Sequence, residues 1–301
     1  MTRVRLGAVS YLNARPCVVG LDRHPRFDLR FDVPSRCAAL LHEGAIDLGL
    51  IPSIEYLRGP GGPGGYLVVP DVAIASSGPV ASVAVYTKKP IAHVRTLALD
   101  TSSRTSVALA RVMCARAWSI NPALEPLGPD LAVMLERADA ALLIGDVALL
   151  TGPTAVRLEP DTTATTATVR LKADPTYGHE NTTVRLKLDP TYPIEKIDLG
   201  EAWTNLTGLP FVYAFWAGRP DALDAQDVRA LQEARDAGVT DPDRVARDYF
   251  VDPALQGIGA RYLRDNIKYH LGEQEQAGLT TFYRYAAELD LVPATTGVRF
   301  Y

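Results

Sequence analysis

Short apolar runs alternate with helix-patterned stretches along the first half of the chain, and this alternation restricts the fold more than any other feature. Runs at 3–9, 28–33, 47–51 and 67–74 have strand length and are rich in Val, Leu, Ile and Phe. Between the second and third, Ser35-Arg-Cys-Ala-Ala-Leu-Leu-His-Glu-Gly44 puts Cys37, Leu40 and Leu41 on one helical face, with Ser35 placed to cap the start and Gly44 to stop the end. The result is a strand-helix-strand unit, and the fold class is α/β. A second cycle follows, with strands at 82–87, 93–99 and 140–144 and a helix over 105–117; from about Pro220 the pattern becomes helical at 224–237, 244–249, 259–271 and 279–289. Two α/β lobes are expected. Residues 1–88 with 200–301 form the first, carrying the C-terminal helices, and 89–199 form the second, with a ligand cleft between them.

Composition narrows the function. With 47% apolar and 22% charged residues over 301 positions, the chain can bury two cores, which excludes a disordered or fibrous protein. Its 31 Lys and Arg against 35 Asp and Glu leave a net charge of −4, so no general positive field attracts nucleic acid or an anionic membrane, and an anionic ligand must be held by local groups. No uncharged apolar run reaches the ~18 residues a bilayer span requires. The N-terminal residues lack the apolar core of a secretion signal, so a cytoplasmic location is expected. Cys17, Cys37 and Cys114 are odd in number and far apart, as expected of buried reduced thiols.

One segment repeats. Thr168-Val-Arg-Leu-Lys-Ala-Asp-Pro-Thr-Tyr177 returns as Thr183-Val-Arg-Leu-Lys-Leu-Asp-Pro-Thr-Tyr192, with a fainter echo at Thr154-Ala-Val-Arg-Leu158. Val-Arg-Leu-Lys suits a short strand and Asp-Pro-Thr-Tyr a turn. Too few copies exist for a solenoid. The expectation is an inserted hairpin or arm within about 151–197, a solvated decoration or the contact of a homodimer.

Familiar catalytic signatures are missing. Gly59-Pro-Gly-Gly-Pro-Gly64 matches G-x-G-x-x-G, but a strand follows it where a dinucleotide loop opens a helix, so a surface turn is expected. His24, His42, His93, His179 and His270 share no ligand spacing, and neither a metal nor another cofactor is expected. Trp203, Phe211 and Trp216 read as core or hinge packing.

The polar residues at the strand exits carry more information, because open α/β sheets bind ligands beyond the carboxyl ends of their strands. The first strand leads into Ser10-Tyr-Leu-Asn13-Ala-Arg15-Pro16, and the third into Pro52-Ser53-Ile-Glu55. Residues 97–100 open into Thr101-Ser-Ser-Arg-Thr-Ser106 at the start of a helix, where amides and hydroxyls would favour a carboxylate; Ser102 and Ser103 could instead only cap that helix. At a fourth exit, Gly145 allows close backbone approach and Asp146 supplies a carboxylate or an N-cap. A small polyanionic organic ligand fits such a set. Receptor, regulator and enzyme all remain open at this level.

Ser10-Tyr-Leu-Asn-Ala-Arg-Pro16 resembles the chorismate dehydratases of the futalosine route to menaquinone. So do Asp47-Leu-Gly-Leu-Ile-Pro-Ser53, Gly78-Pro-Val-Ala-Ser-Val83, Ala98-Leu-Asp-Thr-Ser-Ser-Arg-Thr-Ser106, Leu142-Leu-Ile-Gly-Asp146, Asp198-Leu-Gly-Glu-Ala-Trp203 and Thr207-Gly-Leu-Pro-Phe-Val212. The similarity covers most of the chain and departs at the repeat-bearing stretch. It implies a type II periplasmic-binding-protein fold used as a cytoplasmic hydro-lyase, with chorismate as partner. The implied mechanism is a stepwise elimination in which the substrate's own enolpyruvyl carboxylate takes the proton. On this resemblance Asn13 orients the reacting part of the substrate, the alternative being an Asx turn. Ser10, Ser82 and Arg15 meet carboxylates or hydroxyls, Ser102, Ser103 and Thr105 hold a carboxylate at the helix start, Gly145 lends an amide, and Asp146 assists the departing hydroxyl. The rival readings are a non-enzymatic small-anion binding protein of the same fold and the related 1,4-dihydroxy-6-naphthoate synthase, which carries a Cys-Pro-Asn-Asp-type loop at the first strand exit.

Overall fold

The computed structural model describes residues 3–151, 166–170, 183–187, 193–295 and 297–301. Its elements run β1 (Val4–Val9), β2 (Phe27–Asp32), α1 (Pro34–His42), β3 (Leu48–Pro52), β4 (Leu67–Ser76), β5 (Val83–Thr87), β6 (Thr96–Asp100) and α2 (Arg104–Arg116). Next come β7 (Ala123–Leu127), α3 (Leu131–Arg137), β8 (Ala140–Ile144), α4 (Gly145–Leu150), β9 (Thr166–Arg170), β10 (Thr183–Lys187), β11 (Glu195–Asp198) and α5 (Leu199–Thr207). The chain closes with β12 (Phe211–Gly218), α6 (Ala225–Thr240), α7 (Pro242–Tyr249), α8 (Pro253–Arg261) and α9 (Glu273–Glu288).

The chain divides into two units, Met1–Val80, Ser102–Leu109 and Gly200–Tyr301 against Ala81–Thr101 and Ala110–Leu199. The first division, expected near 88, falls at 80 because β5 pairs with β8 and β11 and so belongs wholly to the second unit. The first unit holds a sheet of order β2-β1-β3-β12-β4, in which β1, β2 and β3 are parallel and β12 runs against both of its neighbours. Its two central strands β3 and β12 are apolar and buried along their whole length, as expected where a sheet is covered on both sides, while the edge strand β2 carries Asp28, Arg30 and Asp32. Trp203 and Trp216 are fully buried, and Trp203 meets Phe211 and Phe282 edge to face, so these aromatics pack the core.

The second unit holds a sheet of order β11-β5-β8-β6-β7, with β6 parallel to β7 and β8, and β5 reversed. A separate antiparallel pair, β9 with β10, joins the two repeat copies. Val169 stands opposite Val184, the same position of the repeat, so the copies pair about a local two-fold. The Asp-Pro-Thr-Tyr turns, the echo at 154–158 and the remaining residues of 152–192 lie outside the described residues, as does any dimer contact made through them; residues 195–197, expected in the arm, instead form part of β11 in the second sheet, where they pair with β5.

Several helix ends differ from expectation, each for a local reason. Ser35 does not cap α1: Pro34 occupies the first turn and Val33 precedes it with extended backbone. The helix expected over 259–271 starts instead at Pro253, where Asp252 accepts from the Ala254 amide. It continues as a π-helical turn over Tyr262–Asn266, and the next stretch forms a bridge from Lys268 to Ala75. The final helix starts at Glu273 rather than 279, because Glu275 reaches back to the Gly272 amide. Residues 59–65 form turns, with Gly62 and Gly65 donating back to Gly59 and Gly62.

Candidate functional site

Each unit gathers expected residues along one sheet edge. In the first unit, β1 ends at Val9 and the chain turns through Ser10 into a 3-10 helix over Leu12–Val18. The main chain of this turn is firmly held. The Ser10 amide donates to Asp32 O at 3.0 Å, the Ser10 carbonyl accepts from Arg15 Nη2 at 2.9 Å and from Tyr249 OH at 3.2 Å, and the Asn13 carbonyl accepts from Tyr269 OH at 3.0 Å. The side chains are treated differently. Ser10 Oγ and Asn13 Oδ1 are buried and have no hydrogen-bond partner. Native proteins pair nearly all such atoms, so these two oxygens, three residues apart on a well-held turn, are available to a hydrogen-bond partner from outside the chain. The Asx turn considered for Asn13 is absent, because that turn would use Oδ1.

Arg15 packs its guanidinium over Phe31, 4.2 Å from the ring centroid, and near Tyr249 at 5.0 Å. Together with the bond to Ser10 O, this makes Arg15 a support for the turn that carries Ser10 and Asn13. From behind, α6 presses on the same segment. A Cβ on Gly238 would lie 2.3 Å from Pro16 Cα and 2.4 Å from Pro16 O, both backbone atoms that cannot swing aside. Gly238→Ala is therefore expected to cost about 1–3 kcal/mol through overpacking, read as a lower midpoint in urea; an unchanged midpoint would show that α6 and this segment are not in close contact.

The second exit of this unit closes on the start of α2. Thr105 Oγ1 accepts from the Ile54 amide at 3.1 Å and lies 3.4 Å from Ser53 Oγ, and both residues are fully buried. Ser103 is the N-cap, its Oγ accepting from the Ser106 amide at 3.4 Å and from Ser106 Oγ at 3.1 Å. Ser102 Oγ accepts from Tyr11 OH at 3.2 Å, which ties the helix start to the Ser10 turn. All three hydroxyls are thus engaged within the protein, and what this helix start presents is backbone amide.

Glu55, which in the sequence is one polar residue of a strand exit with no role of its own, organises this corner. Its carboxylate is completely buried yet meets Arg104 Nη1 at 2.6 Å, Arg58 Nη1 at 3.0 Å and His42 Nε2 at 3.2 Å, while His42 Nδ1 pairs with Tyr66 OH at 2.9 Å. Burial pushes the Glu55 carboxyl up, but His42 and the two arginines outweigh it and leave it below the usual carboxylate value. Arg104 is the first residue of α2, so Glu55 anchors the helix start directly. An acidic residue within the apolar run Ser53-Ile-Glu-Tyr-Leu57 was the available signal.

In the second unit, β5 runs against β8 with Val83 opposite Ile144, which brings Ser82 to the same sheet edge as Gly145 and Asp146. The end of β6, with nearly buried Asp100, reaches that edge too. Gly145 has a φ of +67°, which a side chain would strain, and it opens α4. Asp146 is not an N-cap: Ile144 holds that position, and Asp146 sits in the first turn.

All three cysteines are buried and unpaired, their thiols pushed up to about 12 by burial. Among the described residues no group of three or more His, Cys, Asp or Glu could hold a metal ion, and no helix is long and apolar enough to cross a membrane.

A chorismate dehydratase from Thermus thermophilus is 30% identical over 285 residues, covering 89% of this chain and 94% of that protein. Among solved structures, a structural-genomics protein from Archaeoglobus fulgidus superposes with a TM-score of 0.65 at 14% identity, over 96% of this chain and 98% of its own. A Candida albicans protein described as having the generic periplasmic binding protein fold superposes with a TM-score of 0.55 at 10% identity, over 98% and 92%. The α/β architecture is thus that of the periplasmic-binding-protein fold. Residues 4–161 and 185–288 match the profile of the menaquinone biosynthesis family, the gap falling on the repeat-bearing stretch. With that much of its length matched, the chain belongs to the menaquinone biosynthesis family.

Proposed function

We propose that the chain is a chorismate dehydratase, converting chorismate into 3-[(1-carboxyvinyl)oxy]benzoate and water. The observation that carries this reading is the pair of buried, unpartnered oxygens, Ser10 Oγ and Asn13 Oδ1, on the Ser10–Pro16 segment whose sequence resembles the chorismate dehydratases. The similarity to the Thermus protein along nearly the whole chain supports it.

The chemistry suits such a site. A proton leaves ring carbon 3, the hydroxyl leaves carbon 4 and takes up a proton as water, and the electron pair of the broken C–H bond completes the aromatic ring. Aromaticity drives the step, so the protein's task is to orient the substrate and stabilise charge as it shifts. The substrate's enolpyruvyl carboxylate serves as base. Asn13 fixes the reacting part of the substrate, and Ser10 donates to a carboxylate or hydroxyl oxygen. The first amides of α2, at Arg104 and Thr105, hold a carboxylate, as the start of a helix favours. Ser102, Ser103 and Thr105 serve by shaping that turn, and Arg15 by supporting Ser10. From the second unit, Ser82 and the Gly145 amide donate to substrate oxygens, and Asp146 accepts from the 4-hydroxyl to orient it. The cytoplasm is the compartment proposed, in keeping with three unpaired thiols.

Purified protein incubated with chorismate and no added cofactor is expected to give a product lighter by one water in mass spectrometry. Unchanged chorismate with folded protein would overturn the reading.

A further inference from the structure

Ala81 has a φ of +64°, a left-handed conformation that a residue with a Cβ adopts only when its surroundings impose it. Both of its backbone polar groups are gripped by one strand. The Ala81 amide donates to Asp198 Oδ2 at 2.6 Å, and the Ala81 carbonyl accepts from Lys196 Nζ at 3.2 Å. Lys196 and Asp198 are two residues apart on β11, hence on the same face, and β11 is fixed by pairing with β5 through Lys196 opposite Tyr86 and Asp198 opposite Ala84.

The same ammonium reaches further. Lys196 Nζ donates to Ala148 O at 2.7 Å and Thr151 O at 3.1 Å, carbonyls at the C-terminal end of α4, where a cation is favoured. Tyr86 OH donates to both of these carbonyls, and its ring lies 5.5 Å from the ammonium. One lysine therefore ties the Ala81 turn to the helix whose first residues are Gly145 and Asp146. Ala81 immediately precedes Ser82, itself almost fully buried. The strained residue, the clamp and the proposed ligand-facing groups form one connected assembly within the second unit.

We propose that Lys196 and Asp198 are positioning residues: by holding Ala81 in the left-handed region and bracing α4, they aim Ser82 and the Gly145 amide at the substrate. This rests on the chorismate reading above. Neither residue touches substrate; each acts through Ala81 or α4.

The test compares Asp198→Ala, Asp198→Asn and Lys196→Met, and Ala81→Gly added to Asp198→Ala, by chorismate kinetics, thermal midpoint and exchange of the Ala81 amide. Asp198→Ala is expected to raise KM about tenfold, because the displaced groups bind substrate, and to speed exchange of the Ala81 amide about tenfold in folded protein. Lys196→Met is expected to raise KM similarly. Asp198→Asn keeps a carbonyl acceptor and should stay within about threefold of the parent. Ala81→Gly should recover about fivefold in the Asp198→Ala background, since glycine takes this conformation without steric cost. The proposal is overturned if Asp198→Ala and Lys196→Met keep the parent KM, or if their losses merely follow the folded fraction with no recovery from Ala81→Gly. Should the parent itself leave chorismate unchanged, the functional reading fails, and unaltered exchange of the Ala81 amide in Asp198→Ala would separately refute the clamp.

Discussion

Asn13→Ala is expected to lower kcat/KM for chorismate by at least about tenfold, and toward a hundredfold if the amide meets developing charge, while leaving the unfolding midpoint unchanged or slightly raised. The two halves of this expectation share one origin. Asn13 Oδ1 is buried without a partner, so the folded protein bears its desolvation and gains no hydrogen bond in return. Removing it takes nothing from the fold, and all of the loss falls on the bound substrate. Asn13→Asp should be worse still for turnover, since it sets a negative charge where an anion must sit. Kinetics and a urea titration on the same preparations check both halves. A parent-like rate in Asn13→Ala would remove this residue from the site, and a large stability loss would show that its oxygen has a structural partner.

Glu55→Ala has the opposite signature. The substitution removes a carboxylate that is completely buried and meets two arginines and a histidine, so about 2–4 kcal/mol of stability should be lost. The upper end of what breaking a buried pair can cost is not reached, because Arg58 and Arg104 are partly exposed and water can solvate them once Glu55 is gone. Turnover falls as well, because Arg104 begins the helix whose amides are assigned to the carboxylate. A midpoint in urea within error of the parent would contradict the role given to Glu55.

Acid should act on the same contacts. Glu55 is held below its ordinary pKa by His42 and the two arginines, against burial, and Asp47 is held well below its own, chiefly by its hydrogen bond to Arg5 with Arg219 assisting. As pH falls below about 4.5, the unfolded chain takes up protons at these carboxylates before the folded one does. Their contribution is therefore complete above that value and is lost as pH falls through the depressed values. Parent stability should drop steeply on acidification below about pH 4.5, and Glu55→Ala should show a shallower drop.

The elements that could be read from the chain were those whose local chemistry and burial agree. β8 matched the apolar run at 140–144 because every one of its residues is buried, and the alternation of strands with helices was enough to indicate two α/β units. Helix starts were harder where a cap lies outside the hydrophobic repeat: Asp252 before Pro253 and Glu275 behind Gly272 are signals made by one or two residues. For the site, types and positions along the chain pointed to Ser10 and Asn13, yet only the structure shows their oxygens left without partners. Ser103 and Thr105 carry the right groups for an anion but spend their hydroxyls on Ser106 and Ile54. Glu55, Lys196 and Asp198 carry no assigned role in the sequence because, apart from Arg58 three residues from Glu55, their partners are 13 to 117 positions away in the chain, a distance at which no periodicity or spacing gives a signal.

The most direct test uses chorismate labelled with deuterium at ring carbon 3 and heavy oxygen in the 4-hydroxyl. The account predicts an aromatic product that has lost the deuterium and keeps the enolpyruvyl group, with the heavy oxygen released as water. Heavy oxygen retained in the product, with pyruvate released in its place, or labelled chorismate returned intact by folded protein, would contradict it.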